Sequence, residues 1–237
     1  MADLTGLMTG TSSGIGLAVA GTLLQHNPDL TIVGCSRRPG PLASHPRFIH
    51  WETDLCRPGT ALARARRFSQ EFSACHLMLY AAGRGMFNPS PEWSSESLEE
   101  LVQLNLTSAL SLAGGLTDKL RKGRGLAVFM GSVASRERAP LGAAYGATKA
   151  GLKQFAEYYF LENRKHGVRV MHLCPGMVDT DFYAQERFAP QDGDGFSVDL
   201  QSLAQTVQFY FRGPGEKTNP THLVIEPRMV GIQRKRI

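Results

Sequence analysis

The chain has 237 residues, 42% of them hydrophobic and 20% charged, a composition that excludes disorder and fibrous structure and predicts one globular domain across 1–237. Area scaling for such a mass predicts burial of about 70% of the extended chain's surface, enough for a full-sized core. The net charge of +5 permits an acidic partner, but Arg64/Arg66/Arg67, Arg121/Lys122/Arg124 and Arg234/Lys235/Arg236 are scattered clusters without interleaved aromatics. They read as solvated surface, and no nucleic-acid partner is expected.

No apolar stretch approaches the ~18 residues that a membrane-spanning helix needs, and Met1-Ala2-Asp3 does not begin a secretory signal. A cytoplasmic location without membrane partners is the expectation. Cys35, Cys56, Cys75 and Cys174 form no C-x-x-C pair and read as reduced core residues. The seven histidines show no H-x-x-x-H or Cys/His spacing, so no metal is expected.

In chain order, Leu4 to Met8 reads as a strand entering a glycine turn, and Ile15 to Gln25 as a helix with Ile15, Val19, Leu23 and Leu24 on one face. Leu30 to Gly34 closes the first β-α-β unit. Phe48 to Trp51, Leu77 to Tyr80, Leu126 to Met130, Val168 to Leu173 and Leu223 to Ile225 supply further strands, mostly separated by helical stretches. Such alternation predicts a parallel sheet of about seven strands covered by helices on both faces, a doubly wound α/β Rossmann fold. The helices Leu98 to Leu116 and Tyr145 to Leu161 are apolar on more than one face, so their second faces need a cover, most economically a second subunit. Residues 182–200, with Pro190, Gly193 and Gly195, read as a mobile substrate loop. Residues 228–237 read as a mobile basic tail.

Thr9-Gly10-Thr11-Ser12-Ser13-Gly14-Ile15-Gly16 follows a strand and opens a helix. Glycines there let the backbone approach a pyrophosphate, while the helix N-terminus and hydroxyls offer donors. Without Gly-Lys-Ser/Thr the loop is not a P-loop. Twenty residues past Gly16, where an NAD site carries an acidic residue, stands Ser36-Arg37-Arg38; arginine suits the 2′-phosphate of NADP(H). Tyr145 and Lys149 are spaced i to i+4 at the start of a helix, on one face, and a neighbouring positive charge is expected to lower the phenol's pKa. Ser132 lies thirteen positions before Tyr145, at a strand end.

Together, in this order, these motifs resemble the short-chain dehydrogenase/reductase family in its compact NADP-type form, from about residue 4 to 225. The resemblance implies an NADP(H)-dependent oxidoreductase acting on a small carbonyl or alcohol substrate, most economically as a ketone or aldehyde reductase, and a homodimer or homotetramer. A non-catalytic NADP-binding regulator is the alternative. It implies Tyr145 as acid/base, Ser132 as hydrogen-bond donor to the substrate carbonyl, and Lys149 as ribose ligand. Asn105 would hold a relay water, Asp54-Leu55 would meet the adenine, and Pro175-Gly176, Val178 and Thr180 the nicotinamide end. Tyr80-Ala81-Ala82-Gly83 stands where the family often has Asn-Asn-Ala-Gly after its fourth strand. The small residues still pass beside the cofactor, but a bracing amide is missing. Arg84, Met86, Phe87, Arg136, Arg138, Tyr183 and Arg187 are candidates for the pocket wall, the arginines as selectors of an acidic substrate.

Overall fold

The computed structural model describes residues 4–137 and 141–235. Met1-Ala2-Asp3, Arg138 and Arg236, which entered the readings above, lie outside the described residues. Short runs rich in Val, Ile, Leu and Met, buried on both faces, form the strands β1 (Leu4–Thr9), β2 (Leu30–Ser36), β3 (Phe48–Glu52), β4 (Leu77–Tyr80), β5 (Leu126–Met130) and β6 (Arg169–Pro175), followed by β7 (Phe188–Pro190), β8 (His222–Ile225) and β9 (Ile232–Arg234). Seven of them pair in parallel in the order β3-β2-β1-β4-β5-β6-β8. Chain direction across the sheet reverses between β1 and β4, and the crevice above that point is where doubly wound folds bind ligands.

Alternation along each strand divides the core in two. Met8, Ile32, Leu79, Val128 and Leu173 meet α1 (Gly14–His26) and α6 (Leu200–Arg212) through Val19, Leu23, Val207 and Phe211. Leu7, Val33, Met78, Phe129 and Val170 meet α2 (Thr60–Glu71), α4 (Ser108–Gly123) and α5 (Ala143–Asn163) through Phe68, Leu112, Leu116 and Leu152. The arginines of α2 serve this packing: Arg64 donates to Thr53 Oγ1 (2.9 Å) and Glu52 O (2.7 Å), and Arg67 lies over the Trp51 ring at 4.2 Å.

The helix expected from Leu98 to Leu116 is longer and interrupted. It starts as α3 (Ser95–Val102), with the Ser94 hydroxyl accepting the Ser97 N–H at 3.1 Å, widens into a π turn at Gln103–Thr107, and continues as α4. The outward face of α5 stays partly bare: Tyr158 is 60% and Leu161 58% exposed. Trp93, Leu98, Val102, Leu106, Ala144 and Ala147 line a shallow apolar groove there. Among the described residues no helix is long and apolar enough to cross a membrane.

Two expectations of mobility are corrected. β7, inside the 182–200 loop, pairs antiparallel with β9, in the basic tail. Gln191 N donates to Gly231 O (3.0 Å), Met229 N to Gly195 O (2.8 Å) and Lys235 Nζ to Tyr183 O (2.8 Å), while Arg228 pairs with Asp194. Backbone donors that composition assigned to water are thus satisfied within the chain, and the tail fastens the loop.

Candidate active site

The turn after β1 requires glycine. Gly10 has φ +70°, and a Cβ there would lie 2.9 Å from Ala82 N; at Gly16 it would lie 2.3 Å from Gly10 O. Ser13 sits at the N-cap of α1 with its hydroxyl unspent, and no acidic residue occupies the first turn. The buried Thr11 hydroxyl has no partner among the described residues. Gly14, with φ +55°, faces Thr180 across the crevice, 3.6 Å from its methyl carbon to the Cβ position. A helix N-terminus with free donors beside a loop without side chains is a cradle for an anion of pyrophosphate type.

At the end of β2, Ser36 is buried and donates to Arg38 O at 2.8 Å, leaving the exposed Arg37 and Arg38 side chains beyond it. Neither guanidinium makes an ion pair among the described residues. At the end of β3 the Asp54 carboxylate is engaged by Cys56 N (3.1 Å) and Arg57 (3.3 Å), and the Leu55 side chain is buried in the core. These two residues therefore face the crevice chiefly with backbone.

Ser132, Tyr145 and Lys149 line one cleft with Ile15, Gly176 and Val178. Ser132 ends β5 and its hydroxyl accepts Ala134 N at 3.2 Å. Tyr145 and Lys149, one turn apart on α5, are each only 5% exposed. Lys149 Nζ donates to Met130 O at 2.9 Å and lies 5.7 Å from the Tyr145 ring centre. Gly83 completes the wall, because a Cβ there would lie 3.3 Å from Asn105 Oδ1 and 3.6 Å from Lys149 Nζ. The fully buried Asn105 amide accepts Arg84 N (3.0 Å) and donates to Arg84 O (2.9 Å) and Thr148 Oγ1 (3.2 Å).

The expected lowering of the phenol by its lysine neighbour is corrected. Burial pushes Tyr145 up to about 12, with the Ser132 hydroxyl working against the rise, and burial brings the Lys149 ammonium down to about 8. Both groups share one desolvated space, where loss of water outweighs an attraction aimed mainly at the Met130 carbonyl.

The missing asparagine after β4 has a substitute. Thr9 Oγ1 stands 3.1 Å from both Ala81 N and Ala82 N and accepts from them, and the Asn105 amide clamps Arg84. The strand end is braced from β1 instead of from its own side chain.

Above Tyr145 the wall is aromatic. Phe87 lies 5.1 Å and Phe182 5.8 Å from its ring, centre to centre, and Phe188 stands edge-on to Phe87 at 5.0 Å. Met86 packs in the same cluster and Tyr183 borders the cleft. Among the described residues the candidate arginines do not line the cleft: Arg84 pairs with Glu100 (2.7 Å), Arg187 with Glu92 (3.5 Å), and Arg136 is exposed. Phe182, Phe188 and Thr9 were invisible as site residues in the sequence, since nothing local distinguishes a loop phenylalanine that folds back. Removing residues 228–237, which unpairs β9, is expected to loosen this wall and raise KM for the small molecule that occupies the cleft about tenfold, roughly 1.4 kcal/mol of lost ordering. Unchanged steady-state KM in the truncated chain refutes this.

The family model described as short chain dehydrogenase matches residues 5–190. The chain belongs to the short-chain dehydrogenase/reductase family, whose members are oxidoreductases that use nicotinamide cofactors. It is similar to the NADPH-dependent 1-acyldihydroxyacetone phosphate reductase of Saccharomyces cerevisiae, 26% identical over 78% of this chain and 64% of that protein. It is also similar to the short chain dehydrogenase adrF of Penicillium rubens, 28% identical over 92% of this chain and 93% of that one. Among solved structures, an alcohol dehydrogenase from the archaeon Thermococcus sibiricus, complexed with 5-hydroxy-NADP, superposes with a TM-score of 0.83 at 22% identity, covering 99% of both chains.

Proposed function

We propose that the chain is an NADPH-dependent reductase of ketones or aldehydes with an apolar, often aromatic, substituent. The observation that carries this reading is the gathering of Ser132, Tyr145 and Lys149 in one buried cleft beside the glycine turn. When bound, the nicotinamide supplies the hydride, or takes it in the reverse direction.

The backbone of Gly10 through Gly16, with the Ser12 and Ser13 hydroxyls, holds the pyrophosphate at the N-terminus of α1. Arg37 and Arg38 grip the 2′-phosphate, Ser36 sets their turn, and Asp54-Leu55 passes beside the adenine. Ala81, Ala82 and Gly83 flank the ribose. Pro175, Gly176, Val178 and Thr180 hold the nicotinamide end, Ile15 packing opposite. Tyr145, protonated throughout the neutral range, gives its proton to the developing alkoxide, and Ser132 donates a hydrogen bond to the same oxygen. Lys149 holds the ribose. Asn105 acts as a positioning residue, tying the Gly83-Arg84 turn to α5.

Two carbonyl classes are separated by the wall: free aromatic faces favour apolar substrates, and arginines already paired with glutamates offer little to an acid. The bare face of α5 suits a homodimer or homotetramer. A regulator that never turns over has no use for a buried ammonium, whose desolvation is costly.

Loss of NADPH absorbance with a panel of apolar and acidic carbonyls, NADH in parallel, tests the reading. Tight NADPH binding with no carbonyl reduced would overturn it in favour of the regulator. Because Lys149 keeps its charge only below about 8, reductive turnover is expected to hold through neutral pH and to fall as pH rises through that value. A profile that stays level to about pH 10, the range of an ordinary lysine, removes Lys149 from the chemistry.

A further inference from the structure

We propose that His172, Cys174 and His222 form a site for one thiophilic divalent cation of the zinc class, directly behind Ser132. Register creates the cluster: β6 and β8 run parallel with His172 opposite His222, and Cys174, two residues on, points to the same face. His172 Nδ1 and His222 Nδ1 are 3.0 Å apart, and the Cys174 sulfur lies 3.2 Å from the first and 3.8 Å from the second. Tetrahedral zinc with Zn–N of about 2.05 Å and Zn–S of about 2.3 Å separates its ligands by roughly 3.3 Å (N to N) and 3.6 Å (N to S). The three donors already span one face of such a tetrahedron to within a few tenths of an ångström.

The chemistry of the set agrees. Two imidazoles and a thiol, with no carboxylate among the three, suit a borderline-soft ion and not magnesium or calcium. Burial pushes the Cys174 thiol up to about 11, with Lys149 and Lys153 working against the rise, so an ion held here must displace the thiol proton by bonding to sulfur, which a hard cation does poorly. The ring planes are 18° apart with centres 5.2 Å apart and Nδ1 facing Nδ1 at 3.0 Å, so in the neutral pair one bridging proton would join the two nitrogens. His222 Nε2 is buried without a partner among the described residues. Binding moves that bridging proton from Nδ1 to Nε2 of its own ring, frees both Nδ1 lone pairs after a modest ring rotation, and releases the thiol proton to solvent. One proton leaves per ion bound. His222 is half-buried on the edge strand, which gives the ion its entry and a water the fourth position.

The site adjoins the proposed chemistry through Lys149, near the Cys174 sulfur, and through Gly131. A Cβ on Gly131 would lie 2.4 Å from His172 Nε2 and 2.6 Å from the Cys174 sulfur, so ring and thiol press on the backbone just before Ser132.

Cobalt(II) is the probe. The full chain without an affinity tag, carrying Cys56→Ser to remove the half-buried thiol, is titrated anaerobically and followed by absorbance. One equivalent is expected to raise a thiolate-to-cobalt charge-transfer band with the strong visible bands of four-coordinate cobalt, and zinc is expected to displace it. Cys174→Ala should abolish the charge-transfer band. His222→Ala, on the half-buried edge strand and so safe for folding, should weaken binding about tenfold or more. Absence of saturable one-to-one binding, or a charge-transfer band that survives Cys174→Ala, overturns the site. These readouts are optical and do not depend on turnover.

Discussion

Replacing Tyr145 with phenylalanine is expected to lower carbonyl reduction by about 10² to 10⁴, the usual contribution of a positioned general acid, while leaving NADPH affinity nearly unchanged. The substitution is clean because the ring is what packs. Phe87 and Phe182 pack against the ring, and the hydroxyl's hydrogen-bond neighbour is the Ser132 side chain, itself part of the site. What disappears is the one protonated group at the base of the aromatic wall, next to the Ser132 hydroxyl. Single-turnover rates and a fluorescence titration with NADPH, taken on the same preparation, separate chemistry from binding. Equal loss in both, or loss in neither, would mean that the phenol has no acid role.

Substituting Arg37 and Arg38 together by aspartate and serine is expected to reverse the cofactor preference. Each charge-assisted hydrogen bond to a 2′-phosphate is worth about 1.5 to 3 kcal/mol, so losing one from each arginine should lower kcat/KM for NADPH about 10²- to 10⁴-fold. NADH should gain, since a carboxylate at the end of β2 suits ribose hydroxyls. The fold should tolerate the change, because both side chains are exposed while the buried Ser36 keeps the turn. If the ratio of the two cofactors' kcat/KM does not move, the 2′-phosphate is held elsewhere.

The sheet was legible residue by residue because its strands are short, continuously apolar runs between turn signals: Leu77 to Tyr80 and Leu126 to Met130 are strands with those bounds. The glycine turn, the strand-end serine and the Tyr145/Lys149 pair were legible because each is local, carried by spacing along one element. What sequence could not supply is what depends on distant partners. The bracing of Ala81 and Ala82 by Thr9 joins residues more than seventy positions apart. The rise of the Tyr145 pKa is a property of burial, which no pair spacing reports. The antiparallel pairing of Phe188–Pro190 with Ile232–Arg234 joins a loop and a tail that each look irregular alone. His172 and His222, fifty positions apart, meet only through strand register.

The π turn at Gln103–Thr107 makes the length of that stretch matter as much as its composition. A wide turn holds one residue more than ordinary α-helix, and each residue rotates the next by about 100°. Deleting a single residue there would restore a regular helix that is comfortable for the fold, yet would swing Asn105 away from Arg84 and release the Gly83 turn from α5. The wide turn thus sits where losing a residue would be harmless to packing and ruinous to alignment, so a chain shortened by one residue in this segment is expected to keep the architecture and lose the chemistry.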